Sequence, residues 1–81
     1  MTKLGEFFVK KSINRSIVSR KTGLSKSRLT ELSNNQSSKL RAKELFLIAL
    51  ALDLDPSELL MFVCSDVSLP QLETPQLEQK I

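Results

Sequence analysis

With 81 residues and a formal net charge of +3, the chain bounds one domain of four or five short helices and excludes a large enzyme core. A single cysteine, Cys64, and the absence of histidine exclude by count a zinc site or an intrachain disulfide. No apolar run reaches the roughly 18 residues of a membrane span, and Met1 to Ile13 lacks the apolar core of a signal peptide, so a cytoplasmic protein with no membrane partner is expected.

The distribution of charge says more than its total. Residues 1–43 carry eleven of the twelve lysines and arginines against Glu6 and Glu31, a charge of +9, whereas residues 44–81 set Lys80 against seven acids, a charge of −6. A surface that is only soluble mixes its signs, and a basic half is the electrostatic footprint of a polyanion binder.

In chain order, Thr2 is placed to cap a first helix from Lys3 to about Ser12, with Leu4 and Phe8 on its buried side, Phe7 and Val9 beside them, and Lys10 and Lys11 exposed. Gly5 reads as a mild weakness in that helix. Ile13, just ahead of a second cap at Asn14, reads as a hydrophobic staple. The second helix then runs to about Thr22, with Val18 inward and Ser19 small enough for a close helix crossing. Ile17 has two readings: it tucks against other helices, or it marks a contact surface. Gly23 leaves the helix through a left-handed conformation that costs glycine nothing.

Ser25 caps a third helix, Lys26 to Ser33, in which Leu29 and Leu32, three apart, face inward. Lys26, Ser27, Arg28, Thr30 and Glu31 remain outside, all able to hydrogen-bond. Any solvated helix has such a face, but few coincide with a basic half-chain.

The run from Ser33 to Arg41 has no apolar period and reads as a loop. From Ala42 to Leu52 the sequence AKELFLIALAL predicts a central helix buried on most of its circumference. Asp55 as cap, Pro56 at the first position and Glu58 at the third start a fifth helix. Its five successive apolar residues, Leu59 to Val63, exceed what one face can bury, so Leu59, Met61, Phe62 and Val63 are expected at a dimer interface. From Ser65 the composition changes: Pro70 and Pro75 appear, and Leu69, Leu72 and Leu77 are spaced too widely for one stripe. The expected organisation is a domain at 1–64 and, at 65–81, an extended or disordered tail that is flexible or contacts a partner or the second subunit.

Ile13-Asn14-Arg15, Val18-Ser19, Gly23, Leu24-Ser25-Lys26-Ser27, Leu29, Leu32 and Asn34, followed by Ile48-Ala49-x-Ala51-Leu52 and Pro56-Ser57-Glu58-Leu59-Leu60, form a specific set. On these residues the chain resembles the phage-repressor and Cro-like helix-turn-helix family, often called the XRE family, over about residues 4–63. The resemblance implies an all-α, compact, lambda-repressor-like bundle of four to five short helices. Two departures stand out. Where many relatives pair an arginine of helix one with a glutamate closing helix three, this chain has Phe8 and Ser33, and Asn35 stands where a glycine usually follows, as a residue that also enters left-handed conformations.

The resemblance also implies double-stranded DNA as partner, with helix three in the major groove and helix two across the backbone. Lys26, Ser27 and Glu31 then become the base-reading residues: Lys26 donates to guanine, Glu31 accepts from cytosine, and Ser27 serves either sense. Asn14, Arg15, Ser25, Arg28, Asn34, Lys39 and Arg41 become the phosphate contacts, which position without specifying. The function implied is a sequence-specific, repressor-like transcriptional regulator, acting as a homodimer because one small module reads too few base pairs. Two alternatives are an antitoxin whose tail wraps a toxin and a protein-interaction module that kept the fold. An enzyme is not expected, since histidine, a metal cluster and a phosphate-cradling glycine loop are all missing, and no cofactor is expected either.

Overall fold

In the computed structural model, which describes residues 1–70, side-chain caps fix where most helices begin. Thr2 Oγ1 accepts from the Gly5 amide at 3.1 Å and opens α1 (Lys3–Lys10). Asn14 Oδ1 accepts from the Ser16 and Ile17 amides and opens α2 (Arg15–Thr22). Ser25 Oγ accepts from the Arg28 amide and opens α3 (Lys26–Asn34). Helix α4 (Ala42–Ala51) begins differently: Arg41 has no side-chain acceptor to offer, and Glu44 Oε1 instead accepts from the Arg41 amide at 2.9 Å. Asp55 accepts from the Ser57 amide, with Pro56 in the first turn, and opens α5 (Pro56–Val63). Each such cap satisfies an otherwise orphan donor and contributes about 1 kcal/mol.

Helix α1 ends two residues before the expected Ser12. Ser12 adopts φ +54°, and the Ile13 amide donates to Phe8 O, which directs the chain into the cap at Asn14. The core holds Leu4, Phe7, Phe8, Val18, Leu29, Leu32, Leu45, Ile48, Ala49 and Leu59, while Val9, expected beside them, is exposed. Helix α1 packs on α3 and α5, α2 on α3 and α4, and α4 on α5.

Three expectations are corrected. Helix α4 is not buried around most of its circumference: Leu45, Ile48 and Ala49 are covered, but Phe46 and Leu50 remain half exposed. Helices α2 and α5 pack most extensively against it, and two helices cover one stripe of a third, whatever the composition of the other side.

Gly5 is not a weakness but a requirement. Helix α1 crosses the end of α3 so closely that a Cβ at this position would collide with the Ser33 carbonyl oxygen and lie 2.6 Å from Met1 Cγ. The same approach lets the Thr2 amide donate to Ser33 O (2.8 Å) and its hydroxyl to Leu32 O (2.6 Å).

Asn35 does not use its tolerance of left-handed backbone. It is extended (φ −99°, ψ 111°), and its Oδ1 accepts from the Ser37 amide to close the turn after α3. Residues 71–81, with Leu72, Pro75 and Leu77, lie outside the described residues.

Candidate nucleic-acid interface

The turn between α2 and α3 is held by four hydrogen bonds that begin or end on small polar groups. Gly23 takes the left-handed conformation (φ 83°, ψ −3°) and its amide donates to Ser19 O. The Ser19 hydroxyl donates to Leu24 O at 2.6 Å, the Thr22 hydroxyl to Val18 O at 2.7 Å, and the Leu24 amide to Thr22 Oγ1 at 3.1 Å. Ser19 therefore does more than leave room for a close crossing: it fastens the turn from the α2 side.

Helix α3 turns Leu29, Leu32 and Ser33 inward. Lys26, Ser27, Thr30, Glu31 and Asn34 are exposed, and their spacing of three and four places them along one face. The three base-reading candidates, Lys26, Ser27 and Glu31, thus share a surface. Thr30, four and three residues from Lys26 and Ser27, lies on the same face.

Six of the seven expected phosphate contacts fall into three kinds. Asn34, Lys39 and Arg41 are exposed around the end of α3 and the start of α4. Asn14 and Ser25 already accept hydrogen bonds as caps, which leaves the Asn14 amide group and the Ser25 hydroxyl proton as donors. Arg15 lies with its guanidinium carbon 5.5 Å from the Phe8 ring centroid, and its Nε is buried without a hydrogen-bond partner.

Arg28 is already engaged within the domain. Its Nε and Nη2 grip Glu44 at 2.8 and 3.0 Å, Nη1 donates to Glu31 Oε1 at 3.1 Å, and Nη2 also donates to Lys39 O at 2.9 Å. Four of the five guanidinium donors are thereby committed inside the domain. Glu44 is only 6% exposed, and the hydrogen bonds from Arg28 hold its carboxyl below the usual range despite the opposing effect of burial. Hydrogen bonding from Glu44 likewise raises the Arg28 guanidinium above its usual value. Nothing in the local sequence pairs residues 28 and 44, and Glu44 was not singled out.

Of the expected dimer surface, Leu59 is corrected. Leu59 is fully buried in the core. Phe62 is half-buried, with its ring edge-on to Phe7 at 5.2 Å and 63°, and Val63 packs partly against the core. Of the four residues only Met61 projects into solvent, with Leu60 half exposed beside it. Ile17 is 39% exposed, so it is neither core nor fully outside.

Among the described residues, no group of three histidines, cysteines, aspartates or glutamates is arranged to hold a metal ion. No described helix is long and apolar enough to cross a membrane.

Among the described residues, five short helices, with the second and third joined through a left-handed glycine and the third presenting a polar face beside exposed cations, define a helix-turn-helix protein. The chain belongs to the family described as the Cro/C1-type HTH DNA-binding domain, whose model matches residues 3–65. Comparison with curated proteins and with solved structures found no match. Family membership supports a DNA-binding regulator.

Proposed function

We propose that the protein is a sequence-specific, repressor-like transcriptional regulator that reads the major groove of double-stranded DNA with α3 and acts as a homodimer. One observation carries this reading: Lys26, Ser27, Thr30 and Glu31 form an exposed polar row on a helix whose start is capped and whose opposite face is buried, within a half-chain of charge +9. A rigid helix with donors and acceptors along one side suits base edges, which display a distinct donor and acceptor pattern for each pair. Asn14 and Ser25 at the two helix starts, with Asn34, Lys39 and Arg41 beyond α3, supply the contacts to phosphate that set register.

The test combines salt and mutation. Duplex binding should weaken with a log–log salt slope of about −4 to −8, as expected if a dimer neutralises several phosphates. Lys26→Ala should cost roughly 1–3 kcal/mol on the best site and relax the preference at one base pair, while Arg41→Ala weakens all sequences about equally. A slope near zero refutes DNA binding, and uniform losses in both variants refute the assignment of Lys26.

The burial pattern of α5 makes Met61, not Phe62, the residue on which to test dimerisation. Phe62→Glu would remove a ring that packs on Phe7, so loss of dimer and loss of fold would be confounded. Met61 is 71% exposed, and Met61→Glu should yield a folded monomer by sedimentation and circular dichroism. Such a monomer should lose far more specific than non-specific affinity, because two half-sites about 34 Å apart need both subunits. A dimer that survives this change places the interface elsewhere.

A further inference from the structure

We propose that Glu44 is a specificity-determining positioning residue: acting through Arg28, it keeps a cation of the recognition helix away from DNA phosphates and fixes the Glu31 carboxylate at the reading face. This rests on the DNA-binding reading above.

Three geometric facts support it. First, Glu44 is anchored from both ends, since its two oxygens accept from Arg28 Nε and Nη2 and one also accepts from the Arg41 amide at 2.9 Å. A planar fork on a carboxylate is the arrangement that fixes guanidinium orientation most strongly. Second, the guanidinium so fixed holds Glu31, one helical turn further along α3, through a 3.1 Å ion pair. Glu31 keeps an exposed side chain with one oxygen not engaged by Arg28, so it retains an acceptor for a base-edge amino group. Third, Arg28 Nη2 donates to the Lys39 carbonyl, which ties the recognition helix to the loop that carries Lys39 and leads to Arg41.

The electrostatic consequence follows from the sign of the ligand. A lone carboxylate aimed into a groove bordered by phosphates is repelled by every sequence alike. The triad of Arg28, Glu31 and Glu44 still carries one net negative charge, but the guanidinium held beside Glu31 offsets part of that repulsion and leaves a directional acceptor. Conversely, an arginine released from Glu44 becomes a mobile cation next to the reading face, and a cation that finds a phosphate gains affinity without sequence information. The ion pair that the resemblance expects between helices one and three is absent at Phe8 and Ser33, both buried, and the strong pair of this domain joins α3 to α4 instead.

The experiment compares wild type, Glu44→Gln, Glu44→Asp and the double variant Arg28→Gln/Glu44→Gln, each checked for fold by circular dichroism. Binding is measured on a duplex selected from random sequence and on an unrelated duplex, over a series of salt concentrations. Glu44→Gln keeps an acceptor for the Arg41 amide but loses the charge that holds Arg28. Its slope on the unrelated duplex should steepen by about 1 for each protomer, and its specific-to-unrelated affinity ratio should fall by about tenfold. Glu44→Asp, which restores the charge, should return the slope toward wild type. The double variant removes the cation together with the buried acid and remains informative if Glu44→Gln does not fold. Its slope should match wild type while selectivity at one base pair is lost.

A purely structural pair predicts equal affinity losses on both duplexes with unchanged slopes in Glu44→Gln, and that result overturns the proposal. So does a double variant whose slope is shallower by about 1 per protomer, because Arg28 would then have been a phosphate contact in the native protein. Failure of the broader reading is separate and visible in wild type alone, as an absence of salt-dependent duplex binding.

Discussion

A Phe8→Ala chain should unfold with about 3–5 kcal/mol less stability than the parent, the cost of deleting a fully buried aromatic ring that its surroundings cannot collapse to replace. Phe8 is 2% exposed and belongs to the cluster shared by α1, α2, α3, α4 and α5. Small domains have only about 5–15 kcal/mol in total, so this one substitution removes a large part of the reserve and should lower Tm by at least about 12 °C. The change has a second consequence at the surface. Arg15 lies over the Phe8 ring, 5.5 Å from its centroid, and loses the π face that orients its guanidinium at the start of α2. Urea titration followed by circular dichroism measures the loss, and a value under about 1 kcal/mol would mean that Phe8 is not closely packed.

Gly5→Ala should have the next largest effect, about 2 kcal/mol or more, although alanine is intrinsically the better helix former by nearly 1 kcal/mol. The sign reverses because the added Cβ meets a backbone carbonyl, that of Ser33, and a carbonyl at the end of a packed helix has no rotamer by which to move aside. Relief requires α1 and α3 to separate, which stretches the Thr2 hydrogen bonds to Leu32 O and Ser33 O. Since α3 is the helix proposed to read DNA, the variant should also lose specific affinity at temperatures where it remains folded. Gly23→Ala is the informative comparison. Nothing lies within 4 Å of a Cβ there, so its cost is that of placing a side chain at φ +83°, about 1–2 kcal/mol, and no helix needs to move. Equal Tm losses at the two glycines with unchanged DNA binding in both would refute the close-crossing account of Gly5.

What the sequence determined by itself was the local hydrogen-bond chemistry. Asn14, Ser25 and Asp55 cap the helices they precede, because a cap is a contact between residues two or three apart and needs nothing from the rest of the chain. Gly23 turns left-handed between α2 and α3 for the same kind of reason, and Leu29 and Leu32 face inward because their spacing leaves them on one side of a helix. These local features, with the downstream Ile48-Ala49 and Pro56-Ser57 segments, were sufficient for the family and for the helix that presents the polar face.

Tertiary structure alone decided which apolar and charged residues are used up inside the domain. Helical periodicity gives a side chain's direction but not whether another helix arrives there, so Leu59, expected at an interface, is core, while α4, expected to be buried on most of its circumference, leaves Phe46 and Leu50 half exposed. The value of Gly5 depends on a carbonyl 28 residues away, and Arg28 is held in place by an acid 16 residues further on. Such pairings arise from the angles at which α1 crosses α3 and α4 follows it, which are set by the summed packing of the whole core rather than by any segment's own sequence.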